Sequence, residues 1–532
     1  MKKKIRILMI GIIFLFNTAA FQNCSKYTSQ TLSSQNKQKN GNDGLTTQPP
    51  PVTQPPPVTK SCDGIIPAIR PFPENYSFQC DSNQIVTSTL MRVGWGAEVW
   101  SDGKTHEERR FKKAEIPPLG VTLKDMPSQK FAMDTWAQMG GTSIAISVPW
   151  DSVHVQPDQF IFEPLDWILD YALCKKMKVV LKVQADHNKE KHVPADWRVP
   201  DSDTARDKNG AILADKGLSF SSSKWESNYN KYITKLADHI YQTGRSSAVY
   251  YVMPATTSDQ EFGYQHDERG KDYSSLETNA WREWLKNKYG SNQPYGNINT
   301  LDQPDNIGNG GIGLDWFLFR TERLNRIAKM FAETFQAKGF KTVLDSGSFV
   351  DQSYQRNSWG LTAGGGASYV SGFKQNPQSN YNPELNAKIL SCSGKWSSNE
   401  WTLFREDFLP ITQQDANNYI GRVKKSVDGG VSDISYAFME PVQRPETSGL
   451  EYGHYTVAPF LENIMNSMKD SGYLSKKQQC KTSYSKNLIF SLSQVLNDRG
   501  FSRYENELRS AIEQNGITNT CVELKNDVGI NF

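Results

Sequence analysis

Cysteine is sparse in this chain, seven in 532 residues, and no two cysteines stand in a C-x-x-C spacing. That spacing is what a zinc cluster would require, and no metal or cofactor is expected. An excess of charge is also missing. The 60 Lys and Arg nearly balance the 57 Asp and Glu, for a net charge of +3, so the basic footprint of a nucleic-acid binder is absent. Long apolar runs are lacking too. The most apolar stretch, Ile7 to Phe16, is too short to span a bilayer comfortably, and no later segment is a membrane-spanning candidate. Aromatic residues, in contrast, are plentiful: 13 Trp, 22 Tyr and 25 Phe in a chain only 37% hydrophobic. This composition suits a soluble protein with an aromatic-lined surface or cleft, although most aromatics pack cores.

The first 60 residues lie outside any core. Lys2, Lys3, Lys4 and Arg6 form a basic n-region ahead of the apolar run, and Ala19-Ala20-Phe21-Gln22-Asn23-Cys24 follows. This order predicts an export signal over 1–23. Cys24 just past the h-region resembles the acylated cysteine of a bacterial lipoprotein, with Gln22 and Asn23 where small residues are usual. The alternative is ordinary cleavage near Ala20, leaving Cys24 free or in a disulfide. Acylation would place the protein on a membrane, at the outer membrane or cell surface. Residues 24–60 read as a disordered tether. They are rich in Ser, Thr, Gln, Asn and Pro, and the hexad Gln-Pro-Pro-Pro-Val-Thr occurs twice, at 48–53 and 54–59. Such repeats favour polyproline II, a stiff spacer rising about 3.1 Å per residue. With Cys24 acylated, six cysteines remain. Cys62 with Cys80, and Cys480 with Cys521, are the natural local pairs in an exported chain.

From Thr89 onward, strand-like runs alternate with helical patterns, as in parallel β/α units. Strands are predicted at Met91–Trp100, Ser143–Trp150, Lys178–Val183, Ala248–Met253, Lys341–Leu344, Ala367–Phe373, the segment around Trp396–Trp401, and Val431–Met439. Eight strands with intervening helices predict a (β/α)8 TIM barrel over 61–470. A small C-terminal extension follows at 471–532, with a strand, a helix near Tyr504–Gln514 and a Cys-bearing end.

In such a barrel the active groups sit at the C-terminal ends of strands. Glu261 follows the fourth predicted strand, in Ser258-Asp259-Gln260-Glu261-Phe262-Gly263-Tyr264. A carboxylate there, among aromatics, suits an acid/base group in a sugar cleft, or it is a solvated loop residue. Asp186 and His187 follow the third strand, and the His either bonds a hydroxyl or is structural. Trp95, Trp150, Trp396 and Trp401 are either stacking platforms for sugar C–H faces or core residues.

Five motifs in order then resemble one family, the family-42-type bacterial β-galactosidases of the retaining (β/α)8 glycosidase clan. They are Gly94 with Glu98-Val99-Trp100; Trp150, Pro157, Phe160, Phe162, Leu165 and Asp166; Pro194-Ala195-Asp196-Trp197 followed by Asp207-Lys208-Asn209-Gly210; Trp281 to Gly290; and Glu451-Tyr452-Gly453-His454. The resemblance covers roughly residues 90 to 460. It implies a glycoside hydrolase acting on β-glycosides by double displacement, with a carbohydrate as its partner. Two carboxylates about 5–5.5 Å apart would do the chemistry. In this clan they come from the ends of strands four and seven, which implies Glu261 as acid/base and Glu400 as nucleophile. Glu440, at the end of the eighth strand, is the rival nucleophile or else a substrate hydrogen-bonder. Gln260, Trp150, Asp186, His187, Trp401, Glu440, Glu451 and His454 are the implied substrate contacts. The chain also departs from the family. Gln260 replaces the Asn usual before the acid/base. Ile144-Ala145-Ile146-Ser147 stand where the family carries a sugar-binding Arg, and the appended β-sandwich domains are missing. These departures leave open a barrel that binds sugar without turnover, or a structural envelope lipoprotein.

Overall fold

The computed structural model describes residues 61–74, 76, 78, 84–91, 127–156, 159–185, 201–212, 219–256, 262–264, 272–290, 292, 294–304, 311–345, 369–375, 396–402, 413–437, 457–476, 485–491, 505–516 and 519–525.

Its centre is a parallel sheet built from β1 (Val86–Met91), β2 (Ser143–Pro149), β5 (Lys178–Gln184), β6 (Val249–Ala255), β7 (Val343–Asp345), β8 (Gly372–Gln375), β9 (Trp396–Thr402) and β10 (Asp433–Ala437). The strands lie in the order β6-β5-β2-β1-β10-β9-β8-β7. The two ends of that order meet. Val252 N–H donates to Lys341 O at 2.9 Å, and Val252 bridges Thr342 in parallel. The sheet is thus a nearly closed eight-stranded barrel, the (β/α)8 architecture predicted from the alternating pattern. The first strand begins five residues earlier than expected, at Val86, and residues 92–100 lie outside the described set. A small antiparallel pair, β3 (His154–Gln156) with β4 (Gln159–Phe160), follows β2.

The helices that cover the sheet include α1 (Pro127–Gln138), the single turn α2 (Trp150–Val153), α3 (Glu163–Cys174), α4 (Ser223–Gln242), α5 (Ser275–Tyr289), α6 (Gly311–Gln336), α7 (Gln413–Asp428) and α8 (Val457–Asp470). Strand alternation divides the apolar residues into two sets. Ile144, Ile146, Val148, Val179, Leu181, Val183 and Ile434 point outward and pack with the helices in one large core. Val86, Leu90, Ala145, Val180, Met253, Val343 and Trp396 form a second, smaller cluster inside the barrel.

The segment preceding β1 joins that inner cluster. Phe72, Tyr76 and Phe78 pack on Tyr250 and Trp396, with Phe78 stacked on Trp396 at 4.7 Å between ring centres. Tyr76 Oη accepts from Trp396 Nε1 at 2.6 Å. Trp396 opens β9, so these rings floor the N-terminal end of the barrel. Gly372, beside Trp396 in the register, makes room for the indole: a Cβ there would meet the ring at 2.6 Å. The floor segment is tied to the helical layer by Ala68 N–H to Lys175 O and Phe72 N–H to Lys176 O, both at 2.8 Å. A disulfide adds to this, and it corrects the expected local pairing. Cys62 bonds to Cys174 at the end of α3, not to Cys80. The chain crosses beneath the barrel at this point, which brings residues 112 apart in sequence to a Cα separation of 5.2 Å.

After α8, the C-terminal extension forms β11 (Lys486–Ser491), α9 (Glu505–Asn515) and β12 (Thr520–Lys525). The two strands pair in parallel, with Cys521 opposite Asn487. The strand, helix and Cys-bearing end read from the sequence are all present.

Candidate active site

The interior of the barrel is apolar at its floor and polar above it. On β9 the inward positions after Trp396 are Ser398 and Glu400. Burial there would be costly for a lone carboxylate, and Glu400 is only 4% exposed. It is not alone. Lys182 Nζ donates to Oε1 at 3.1 Å and lies 3.1 Å from Oε2. Lys374 Nζ donates to Oε2, and Ser435 Oγ lies 3.4 Å from the same oxygen. Lys182 comes from β5, Lys374 from β8 and Ser435 from β10, so three strands converge on a carboxylate carried by a fourth, β9. Burial by itself would raise the Glu400 pKa. The ammonium groups of Lys182 and then Lys374 outweigh it and hold the carboxyl down to about 2. Glu400 is therefore an anion at any physiological pH.

A second carboxylate lies one layer deeper. Asp433 on β10 pairs in register with Ser398 on β9, which in turn pairs with Lys374 on β8. Asp433 Oδ1 accepts from Ser398 Oγ, and Oδ2 accepts from Ser88 Oγ at 3.1 Å. Burial pushes its pKa up to about 7, against the serine hydrogen bonds and Lys374, with the Glu400 charge adding to the rise.

Past strand four, Thr256 and the stretch Phe262–Tyr264 are held by side-chain hydrogen bonds. Thr256 Oγ1, just past β6, accepts from Gly263 N–H at 2.8 Å and donates to Gly263 O at 2.6 Å. Tyr264 Oη donates to Glu277 Oε1 at 2.7 Å, and the Arg320 guanidinium lies 4.3 Å from the Tyr264 ring centre. Glu277 also accepts from Ser221. Burial, with Asp272 nearby, raises the Glu277 pKa. The chain segment bearing Glu261 thus leaves from, and returns to, residues held at the end of strand four. Glu261 itself lies outside the described residues, as do Cys24, Trp95, Asp186, His187, Gln260, Glu440, Glu451 and His454.

Two of the expected sugar contacts prove to be core residues. Glu400 points into the barrel, so Trp401, the next residue on β9, points out. It is 2% exposed and packs edge-on against Tyr419 of α7. Trp150, the first residue of the single turn α2 that follows β2, is buried and stacks on Tyr232 of α4 with 4° between ring planes. Trp396 lies inside the barrel, but in its floor.

No protein-family model and no curated protein matches this sequence. Solved structures do match. The chain is similar to a polyextremophilic β-galactosidase from the Antarctic haloarchaeon Halorubrum lacusprofundi. The TM-score is 0.59 at 11% identity, over 84% of this chain and 68% of that one. It is also similar to a β-galactosidase from Bacillus circulans sp. alkalophilus, with a TM-score of 0.54 at 12% identity, over 84% and 66% of the two chains. At such identity the likeness is one of fold.

Strand counting places Glu400 on the seventh strand of this barrel and the Glu261 segment after the fourth. Sequence reasoning missed the groups around Glu400: Lys182, Lys374, Ser398, Asp433 and Ser435. Lys182 had a visible signal. It stands at an inward position of Lys178-Val179-Val180-Leu181-Lys182-Val183-Gln184, an otherwise apolar buried strand. A lysine there needs an anion inside the barrel. Position 147 on β2 holds a small Ser whose buried hydroxyl has no partner among the described residues. Cationic charge reaches the site from strands three and six.

Proposed function

We propose that this protein is a retaining glycoside hydrolase acting on β-glycosides, with Glu400 as nucleophile and Glu261 as acid/base. The observation that carries this reading is Glu400 itself: an inward carboxylate on strand seven, kept ionised by two lysines. An ionised carboxylate is what attack on an anomeric carbon requires. The fold shared with the two β-galactosidases supports a β-glycoside over other substrates. The test is covalent trapping. A 2-deoxy-2-fluoro glycoside chosen from a nitrophenyl glycoside panel should label the peptide containing Trp396 to Trp401. A label on Glu440 would move the nucleophile to strand eight.

A second reading is a barrel that binds carbohydrate without turnover. It is favoured by one observation: both oxygens of Glu400 are already engaged by ammonium groups. Binding on a glycan array, with no hydrolysis and no label, would select it. For the N-terminus we propose acylation at Cys24, with residues 24–60 as a spacer holding the barrel off a membrane surface. Cys24→Ser should move the protein out of the membrane fraction. Retention of the variant there, with no acyl label on the wild type, would rule this out.

A further inference from the structure

Strand three carries a second polar side chain into the barrel beyond Lys182. Strand alternation puts Val180, Lys182 and Gln184 on the same inward face of β5. Val180 belongs to the apolar floor, and Lys182 reaches Glu400. Gln184 ends the strand, one step nearer the face where the active groups of such barrels sit. In the strand order β5 and β9 are four places apart in a ring of eight, so Gln184 stands on the wall opposite Glu400. Its register neighbours are Pro149 on β2 and Ala255 on β6. Neither of those side chains can form a hydrogen bond.

Gln184 is 3% exposed, and its Oε1 is shielded from solvent with no hydrogen-bond partner among the described residues. A buried acceptor in that state has lost its water and gained nothing in exchange, and an apolar side chain of the same shape would be no less stable there. Ser147 is in the same condition one strand away. It pairs in register with Lys182, and its buried hydroxyl also lacks a partner among the described residues. Two idle hydrogen-bonding groups thus lie on adjacent strands, both facing inward, next to the lysine that touches the proposed nucleophile.

We propose that Gln184 is a substrate-binding residue, whose carboxamide oxygen accepts a hydrogen bond from a hydroxyl of the sugar ring that Glu400 attacks, with the Ser147 hydroxyl beside it. The proposal rests on the glycosidase reading and narrows its substrate class. An acceptor needs a donor, and a carboxylate or sulfate ester at that edge of the ring offers only acceptors. A sugar hydroxyl both donates and accepts, so it satisfies the amide turned either way. The ring is therefore a neutral sugar with a free hydroxyl at that edge. Gln184 takes no part in bond making or breaking. Its contribution is recognition: a ring lacking that hydroxyl leaves the amide unpaired, and is rejected for that reason.

The test uses the full-length protein and Gln184→Met, which keeps the length of the side chain and removes both amide groups. The melting temperature of the variant should equal or exceed that of the wild type, because no hydrogen bond of Oε1 is lost. Its kcat/KM on the best substrate of a nitrophenyl glycoside panel should fall by about tenfold or more. Monodeoxy versions of that glycoside then locate the hydroxyl. One of them should lose about as much in the wild type and lose nothing further in Gln184→Met. Unchanged kcat/KM in the variant overturns the proposal and leaves the glycosidase reading standing. A variant that melts lower and loses every deoxy substrate alike also overturns it, since the amide would then hold the fold and not the sugar. Should Gln184→Met not fold, Gln184→Asn decides by the same comparison, because it withdraws the amide by one methylene. If the panel is bound but not cleaved or trapped, the glycosidase reading fails, and the same comparison made on dissociation constants decides the role of Gln184. A protein that neither cleaves nor binds any glycoside of the panel overturns both.

Discussion

Lys374 does two things at once. It neutralises Glu400 directly and stands in register with the serine that holds Asp433. Replacing it with Met would leave the cavity filled but a buried carboxylate half-paired. Breaking a buried ion pair from one side costs about 3–5 kcal/mol, so Lys374→Met should lower stability by that order in urea unfolding, and it should raise the pH at which Glu400 ionises. The two carboxylates have opposite linkage to pH. Glu400, with its pKa lowered from 4.5 to about 2, contributes stability that is present above pH 4.5 and lost as the pH falls toward 2. Asp433, with its pKa raised from 3.8 to about 7, contributes stability that is present at acid pH and lost as the pH rises through 7. Asp433→Asn mimics the protonated form. Relative to the wild type, its melting temperature should therefore be higher at pH 8 than at pH 5. An equal difference at both pH values would show that Asp433 does not titrate in this range. At the loop after strand four, Glu261→Ala should lose about 10²–10⁴-fold activity on poor leaving groups and less on activated ones, with rescue by azide.

At the scale of elements, a single strand sorts function from packing. β9 alternates Trp396, Ser398 and Glu400 inward with Ser397, Asn399 and Trp401 outward. Asn399 Nδ2 accordingly donates to Ser426 of α7 at 2.9 Å, while its neighbour Glu400 faces the lysines. The floor segment is the other element with a clear task. It carries three rings into the barrel and is locked by the Cys62–Cys174 disulfide. A cross-link over a separation of 112 residues restricts the unfolded chain strongly. The chain-entropy estimate is about 4–5 kcal/mol. Reduction, or Cys62→Ala with Cys174→Ala, should lower the unfolding midpoint accordingly. A midpoint unchanged by reduction would mean that the bond does not form in the isolated protein.

Across the whole molecule, one barrel carries two interiors. The N-terminal half is filled by Phe72, Phe78, Tyr250, Tyr251 and Trp396, and the next layers by serines, lysines and carboxylates. The floor supports the site, because Trp396 lies on the same strand as Glu400 and two residues below Ser398. Trp396→Ala should cost about 3–5 kcal/mol as a large-to-small core change. Gly372→Ala attacks the same contact from the opposite side, since its methyl group would overlap the indole. Both variants should lower thermal stability, and a Gly372→Ala protein as stable as the wild type would show that the floor can shift to accommodate the methyl group.

The eight-stranded barrel, the strand and helix of the C-terminal extension, and the position of Glu400 on strand seven could all be read from the sequence; Glu261 lies outside the described residues. Each rests on local order: alternation of strand and helix patterns, and a carboxylate at a strand end. Local order also limited that reading. Trp150 and Trp401 look like sugar platforms along the chain, but the period of two in β9 turns Trp401 toward α7, and the helical turn after β2 carries Trp150 against Tyr232 of α4. Cys62 has a cysteine eighteen positions away by count, yet it bonds to Cys174, because the chain passes under the barrel to the end of α3. The ladder of Lys182, Lys374, Glu400 and Asp433 draws on four strands spread over more than 250 residues. Sequence determines which strands exist and which way each residue faces. Only closure of the barrel decides which inward residues meet, because buried charges find their partners across strands and not along them.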